Sequence, residues 1–416
     1  MKHEVITFGC RLNTYESEVI RGHMRACGEE HVAVFNTCAV TKEAERQAKQ
    51  AIRKYHRENP EAKIIVTGCG AQISPQKYAD IEGVGKVIGN SEKLEKESYL
   101  PEKFMAESEK VLVNDIMSVT ETASHLVTGI EDRSRAFMQV QNGCNHRCTF
   151  CIIPYGRGNS RSVPIGEVVN QAKILTEKGY KEIVLTGVDV TDYGLDLPGK
   201  PTLGQMMKRL LKNVPELTRL RLSSIDVAEI DEDLLDLIAN EPRLMPHLHI
   251  SLQSGDDMIL KRMKRRHTRQ QVLDFCKKAR LLRPDVVFGA DIIAGFPTET
   301  EEMFNNTLKI VEEADLIYLH VFPYSEREGT PAAKIPNQVP KKIRKERAAK
   351  LREAGKKQLE KFLHSRIGKV ENIIVEKEGA GRTEHFALVQ FSGLKEAGTL
   401  TSLKITGEDG KHLIAA

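Results

Sequence analysis

The stretch Asn142-Gly143-Cys144-Asn145-His146-Arg147-Cys148-Thr149-Phe150-Cys151 carries three cysteines in the spacing C-x3-C-x2-C. Spacing this tight brings three soft thiolates together on one loop, and soft thiolates select zinc or an iron–sulfur cluster. A structural zinc ion closes its tetrahedron with a fourth protein ligand, usually from paired C-x2-4-C. His146 lies inside the loop and is poorly aimed for that role. Three thiolates on a four-iron cubane would instead leave one iron open to a substrate.

Working outward, the loop follows a short apolar run at 137–141, and strand-like and helix-like stretches then alternate. Further strands are expected at 183–186, 220–223, 249–252, 286–293 and 316–322. Helical periodicity covers 165–178, 203–212, 270–282 and 300–314. Six such units predict a partial parallel (β/α)6 barrel, with the cysteine loop on the carboxyl-end rim where parallel barrels place their chemistry. Asp189, Ser224, Gln253 and Asp291 fall at other strand ends, beside Gly187, Gly255 and Gly295, which let a ligand approach the backbone. For any one of them a turn or helix cap is an equally good account. After one rim loop, residues 261–269 hold seven basic side chains and no acid, Arg262 among them, placed to meet phosphates or a substrate carboxylate.

Upstream, strands at 3–9, 31–38 and 63–69 alternate with helices at 15–27 and 41–59, a βαβαβ pattern that predicts a doubly wound, flavodoxin-like α/β domain. Its three strands end in Cys10, Cys38 and Cys69. The carboxyl ends of parallel strands share one edge, so these thiols should converge on a second metal site. Ordinary buried cysteines are common, but three successive strand ends make that account the weaker one. Cys27 and Cys276 lie within helical patterns and read as core or surface thiols.

Downstream, 340–363 reads as one helix with ten Lys or Arg against three Glu, either a solubilising linker or a phosphate-facing surface. Short alternating runs at 369–375, 386–391 and 400–405 then predict a β-barrel of about five strands, similar to oligonucleotide-binding modules. The 416 residues predict two or three domains. The formal charge, 62 − 58 = +4, confines any nucleic-acid affinity to local patches. The absence of a long apolar run or signal-peptide profile predicts a soluble, cytoplasmic protein with no membrane association. Eight cysteines then argue for metal or catalytic thiols over disulfides.

Together, the three cysteine motifs at Cys10, Cys38 and Cys69, the Cys144-Cys148-Cys151 loop with Ile153-Pro154-Tyr155-Gly156-Arg157-Gly158, and the terminal barrel resemble the radical S-adenosylmethionine (SAM) methylthiotransferases over nearly the whole chain. The resemblance implies a methylthiotransferase domain at 1–115, a radical SAM domain at 130–360 and a TRAM-like RNA-binding barrel at 362–416. It also implies two 4Fe-4S clusters, on Cys144, Cys148 and Cys151 and on Cys10, Cys38 and Cys69. SAM would be held near Phe150, Asp189, Ser224, Gln253, Arg262 and Asp291. A 5′-deoxyadenosyl radical would take hydrogen from carbon 2 of an adenine, and the second cluster would deliver the sulfur. The family modifies threonylcarbamoylated or isopentenylated adenosine 37 in the tRNA anticodon loop, or an aspartate of a small-subunit ribosomal protein. Phe8-Gly9-Cys10-Arg11-Leu12-Asn13 resembles the threonylcarbamoyl branch, since the isopentenyl branch typically has glutamine after the cysteine. An electron-donor protein and a sulfur donor are implied as partners. A non-catalytic iron–sulfur or zinc RNA-binding protein is the rival, and it would have no use for an open iron.

Overall fold

The computed structural model describes residues 3–27, 31–100, 109–120 and 134–416. The first five strands, β1 (Glu4–Thr7), β2 (Val32–Thr37), β3 (Lys63–Gly68), β4 (Val84–Ile88) and β5 (Val111–Leu112), form one parallel sheet in sequential order. Helices cover both of its faces, as a doubly wound sheet requires. Ile20 and Met24 of helix Arg11–Cys27 pack on Val5, Val32, Val34 and Ile65. Ile52 of helix Lys42–Glu58 packs on Ala33, Phe35, Ile64 and Val66, the alternate side chains of the same strands. The strand order departs in detail from the 2-1-3-4-5 of a flavodoxin-like sheet. Because order advances one way while the helices change face, the first two crossovers have opposite hands, against the usual rule. Helix Arg11–Cys27 is thereby turned toward the next domain.

That domain is the expected partial barrel. Its strands are β6 (Ala136–Gln139), β9 (Glu182–Thr186), β10 and β11 (Arg219–Leu222 and Ser224–Ile225, one strand broken at Ser223), β12 (His247–Gln253), β13 (Val287–Ala294) and β14 (Leu316–Pro323), all parallel. Between β6 and β9 a small antiparallel pair, β7 (Gln141–Asn142) and β8 (Arg161–Ser162), braces the cysteine loop. Alternation along the strands sends Met138, Leu185, Leu222, Ile250 and Ile292 outward against the helices. Phe137 and Val184, one position over, face inward, where Tyr15 and Val19 of helix Arg11–Cys27 pack on them. The first domain thus reaches into the lumen of the second.

Helix Lys341–His364 is no mere linker, and two of its ten basic side chains turn inward while the other eight stay exposed. It packs against the barrel's last strand, where Gly355 lets Leu319 close in. Arg344 and Arg347 are buried, donating to the carbonyls of Val339 and Tyr324 and to Glu299 and Glu301. The last five strands, β15 (Val370–Lys377), β16 (Ala380–Thr383), β17 (Leu388–Phe391), β18 (Leu400–Glu408) and β19 (Leu413–Ala415), close a small barrel around Ile373, Val375, Val389 and Ile405. Part of the expected boundary between the first two domains, 121–133, lies outside the described residues. Among the described residues no helix is long and apolar enough to cross a membrane.

Candidate active site between two cysteine trios

The Cys144 loop is fixed through its backbone. Gly143 turns it with φ +74°, Cys144 N–H donates to the Gly158 carbonyl (3.1 Å) and Thr149 N–H to the Met263 carbonyl (3.1 Å). Cys144 and Cys148 are buried and Cys151 half-buried. Burial works to raise the Cys148 pKa, but a hydrogen bond from His146 and the Arg265 guanidinium, 3.6 Å from its sulfur, outweigh it and favour the thiolate. The His146 Nε2 sits 3.1 Å from both Asp189 and Glu229, and the donor atoms of the three lie within 4.8 Å of one another. Burial, then Glu229, raises the Asp189 pKa to about 6.

Cys10, Cys38 and Cys69 meet at the carboxyl edge of the first sheet. Cys69 starts helix Cys69–Ile73, and a Cβ on Gly9 would lie 2.7 Å from Cys38 Cβ. Cys38 and Cys69 are buried and Cys10 is exposed. Burial, then Cys69, pushes the Cys38 thiol up to about 12, so only a bound cation would hold it as thiolate. Beneath this trio lies a closed charge network. Glu16 Oε2 accepts from Lys93 Nζ (2.7 Å), and both its oxygens accept from Arg157 (2.8 and 2.9 Å). Glu16 and Lys93 side chains are fully buried and Arg157 nearly so. Arg157 donates further to Asn13 Oδ1 (2.6 Å) and to Asn142 Oδ1 (3.0 Å). One guanidinium therefore ties the helix after Cys10 to the residue pair that opens the Cys144 loop.

Three features fit the thiols to iron–sulfur clusters. Each trio is soft and short of a fourth ligand. Among the described residues neither trio has all its sulfurs within 4.8 Å of one another, whereas tetrahedral zinc at ~2.3 Å would need them ~3.8 Å apart. Two buried cations against one carboxylate at Glu16 leave an excess of +1, and three thiolates on a cluster core of charge ~+2 would supply −1.

A cavity of about 250 Å³ lies where the domains meet. It is lined by Val40 and Thr41, just past Cys38, by Phe150, and by Gln253, Asp291 and Ile293 at strand ends. Gln253 holds φ +66°, in the left-handed region that non-glycine residues adopt uncommonly. Of the expected SAM contacts, Phe150, Gln253 and Asp291 thus converge, while Asp189 sits beside Cys144, its Oδ2 3.8 Å from the sulfur. Ser224 and Arg262 do not line the cavity. Arg262 is turned to Thr298 Oγ1 (2.7 Å). The basic run around it is a correction to the phosphate-facing expectation. Arg265 is held by Asp226 (2.6 Å), Arg266 pairs with Glu229, Arg269 with Glu313, and His267 is buried between Asp226 and the Leu252 carbonyl. Only Lys261 and Lys264 of the run are left exposed without a recorded ion pair among the described residues. Sequence reasoning also passed over Gln141, whose Oε1 accepts from Val188 and Asp189 N–H (2.9 Å each) and sets the turn that aims Asp189.

Residues 138–311 match the model of the radical SAM superfamily, and 2–89 that of the uncharacterized protein family UPF0004. A threonylcarbamoyladenosine tRNA methylthiotransferase, MtaB, of Rickettsia prowazekii is 59% identical over 411 residues, covering 99% of this chain and 96% of that one. The chain belongs to the radical SAM tRNA methylthiotransferases. Within them it is also 33% identical to the tRNA-2-methylthio-N(6)-dimethylallyladenosine synthase of Clostridium novyi, over 97% of this chain and 93% of that one. The radical SAM methyltransferase TsrM of Kitasatospora setae has the same fold, with a TM-score of 0.58 at 13% identity over 80% of this chain and 75% of that one. Membership makes this methylthiotransferase an enzyme that uses SAM and a four-iron cluster.

Proposed function

We propose that this enzyme adds a methylthio group to carbon 2 of N6-threonylcarbamoyladenosine at position 37 of tRNA. Cys144, Cys148 and Cys151 hold the SAM-binding cluster, and Cys10, Cys38 and Cys69 hold a second one that carries the sulfur. The observation that carries this reading is one cavity lined from both cysteine regions, by Phe150 just before Cys151 and by Val40 and Thr41 two and three residues after Cys38. When bound, SAM and its cluster supply a 5′-deoxyadenosyl radical able to take a hydrogen atom from carbon 2. The chain's own residues do the rest. His146 and Arg265 favour the thiolate of Cys148. Gln253 and Asp291 offer hydrogen-bonding groups within the cavity, and Phe150, edge-on to Phe296 at 6.4 Å, gives it an apolar wall that keeps water from a radical. Arg157 locks the two cysteine regions in register, so that radical formation and sulfur transfer are served at one substrate position.

The threonylcarbamoyl substrate is favoured by 59% identity to a relative bearing that name against 33% to the dimethylallyl one. On this reading 1–115 is the sulfur-carrying domain, 130–360 the radical domain and 362–416 an RNA-binding barrel. An electron-donor protein and a sulfur donor act on it from outside, in the cytoplasm. Mass spectrometry of tRNA nucleosides from a strain lacking the gene tests it. The methylthio derivative of threonylcarbamoyladenosine should vanish and its precursor accumulate. Loss of methylthio-isopentenyladenosine instead, or of methylthio-aspartate in a ribosomal protein, would refute the assignment.

A further inference from the structure

The lower lumen of the partial barrel is polar, and nearly every cation in it has an anion. Arg219 and Arg221 face Glu182 at 3.7 and 2.9 Å, and Arg135 and Arg382 face Glu376 at 2.7 and 3.2 Å. Arg11, the residue after Cys10, is the exception: it has no recorded hydrogen bond or ion pair among the described residues. Its guanidinium lies 6.0 Å from the centroid of the inward-facing Phe137 ring. The charges acting on it are chiefly Arg135, Arg221 and Arg382, with Asp291 as the opposing carboxylate. Asp291 is itself engaged, its Oδ1 3.1 Å from both His249 Nε2 and His320 Nδ1. Burial, then those guanidiniums, lowers the Arg11 pKa to about 10, as befits a cation without an anion.

Asp291 lines the cavity and is also the carboxylate acting on Arg11, which puts the polar lumen around Arg11, a well of charge, on the Asp291 side of that cavity. His249, Asp291 and His320 bring their donor atoms within 4.8 Å of one another, a grouping that could hold a metal ion. Arg135, Arg221 and Arg382, the guanidiniums that act on Arg11, make an added anion favourable beside it. We propose that this well binds the carboxylate of the substrate's threonylcarbamoyl group, with Arg11 as its counter-cation and specificity-determining residue. The inference rests on the function proposed above. That carboxylate is the charge that distinguishes the modified base from plain adenosine, and a guanidinium is the side chain shaped to receive it bidentately. The methionyl carboxylate of SAM has the same chemistry, and the experiment separates the two.

The holoenzyme is titrated with an anticodon stem-loop carrying threonylcarbamoyladenosine, or its neutral carboxamide, at position 37. The wild type should bind the acid about 10- to 100-fold more tightly than the amide, the range for a hydrogen bond to a charged group. Arg11→Gln should collapse that ratio to about one, and Arg11→Lys should keep part of it, with the SAM dissociation constant changed less than about threefold. A wild-type ratio near one would overturn the proposal, as would an Arg11→Gln variant that still discriminates fully. A tenfold loss of SAM affinity with discrimination intact would assign the well to SAM instead. Should Arg11→Gln not fold, judged by iron content and circular dichroism, the wild-type ratio and Arg11→Lys decide. Failure of the wild type to methylthiolate the acid stem-loop at all would sink the function rather than this assignment.

Discussion

Glu16 is the single carboxylate between two buried cations, so removing its charge strands both. Breaking a buried pair from one side typically costs ~3–5 kcal/mol. Glu16→Gln should therefore lower stability by about that amount and loosen the Cys10, Cys38 and Cys69 site, seen as an earlier thermal melt and a lower iron content. Glu182 in the lumen gives a pH-dependent counterpart. Burial works to raise its pKa, but Arg221, Arg135 and Arg219 hold it at about 2, below its ordinary value of 4.5. A depressed carboxylate contributes stability above its unfolded pKa and loses it as pH falls toward the folded one. The stability gap between wild type and Glu182→Gln, roughly 3 kcal/mol by that shift, should hold from pH 7 to 5 and close between pH 4.5 and 2. A gap that stayed constant down to pH 2 would mean that the guanidiniums do not hold Glu182 ionised. The cysteines were legible because their chemistry demands one residue type at short spacing. The network under them was not, since Glu16 lies 77 residues from Lys93 and 141 from Arg157.

Among the elements, the basic run at 261–269 shows why a local charge count misleads. Its partners lie roughly 40 residues away, Asp226 and Glu229 on one turn after Ser224–Ile225 and Glu313 at the end of another unit's helix. The strand and helix periods had no such problem, because each is set by alternation within a few residues, and the six βα units appear where expected. With only Lys261 and Lys264 exposed and without recorded ion pairs, Lys261→Ala with Lys264→Ala should flatten the salt dependence of tRNA binding by at most about two units of slope. A further fall of about two on adding Arg265→Ala and Arg266→Ala would mean that those arginines leave their carboxylates to meet phosphate. Helix 341–364 divides its charge: eight basic side chains stay exposed, while Arg344 and Arg347 turn their heads inward to carbonyls and carboxylates at the barrel's mouth.

For the whole molecule, the terminal barrel does more than follow the second domain. Phe386, held at φ +72°, stacks on His247 at 5.1 Å and is surrounded by Arg135, Arg221 and Arg382 within 5.2 Å. Arg219 and Arg221 donate to the carbonyls of Asn372 and Glu384 from above it. The small barrel thus stoppers the end of the lumen opposite the cysteines, and its ring serves docking instead of base stacking. Phe386→Ala should cost ~3–5 kcal/mol and speed proteolytic cleavage near Gly368, whereas unchanged cleavage would argue that backbone contacts alone hold the barrel.

One enzyme with two cysteine trios whose sequence neighbours line one cavity should divide its labour between them, and single substitutions can split the reaction. Cys38→Ala should still cleave reduced SAM to 5′-deoxyadenosine but form no methylthio product, while Cys148→Ala should do neither, with iron content and circular dichroism confirming that each variant is folded. Methylthiolated threonylcarbamoyladenosine made by Cys38→Ala at wild-type yield, without added sulfide, would contradict the two-cluster account.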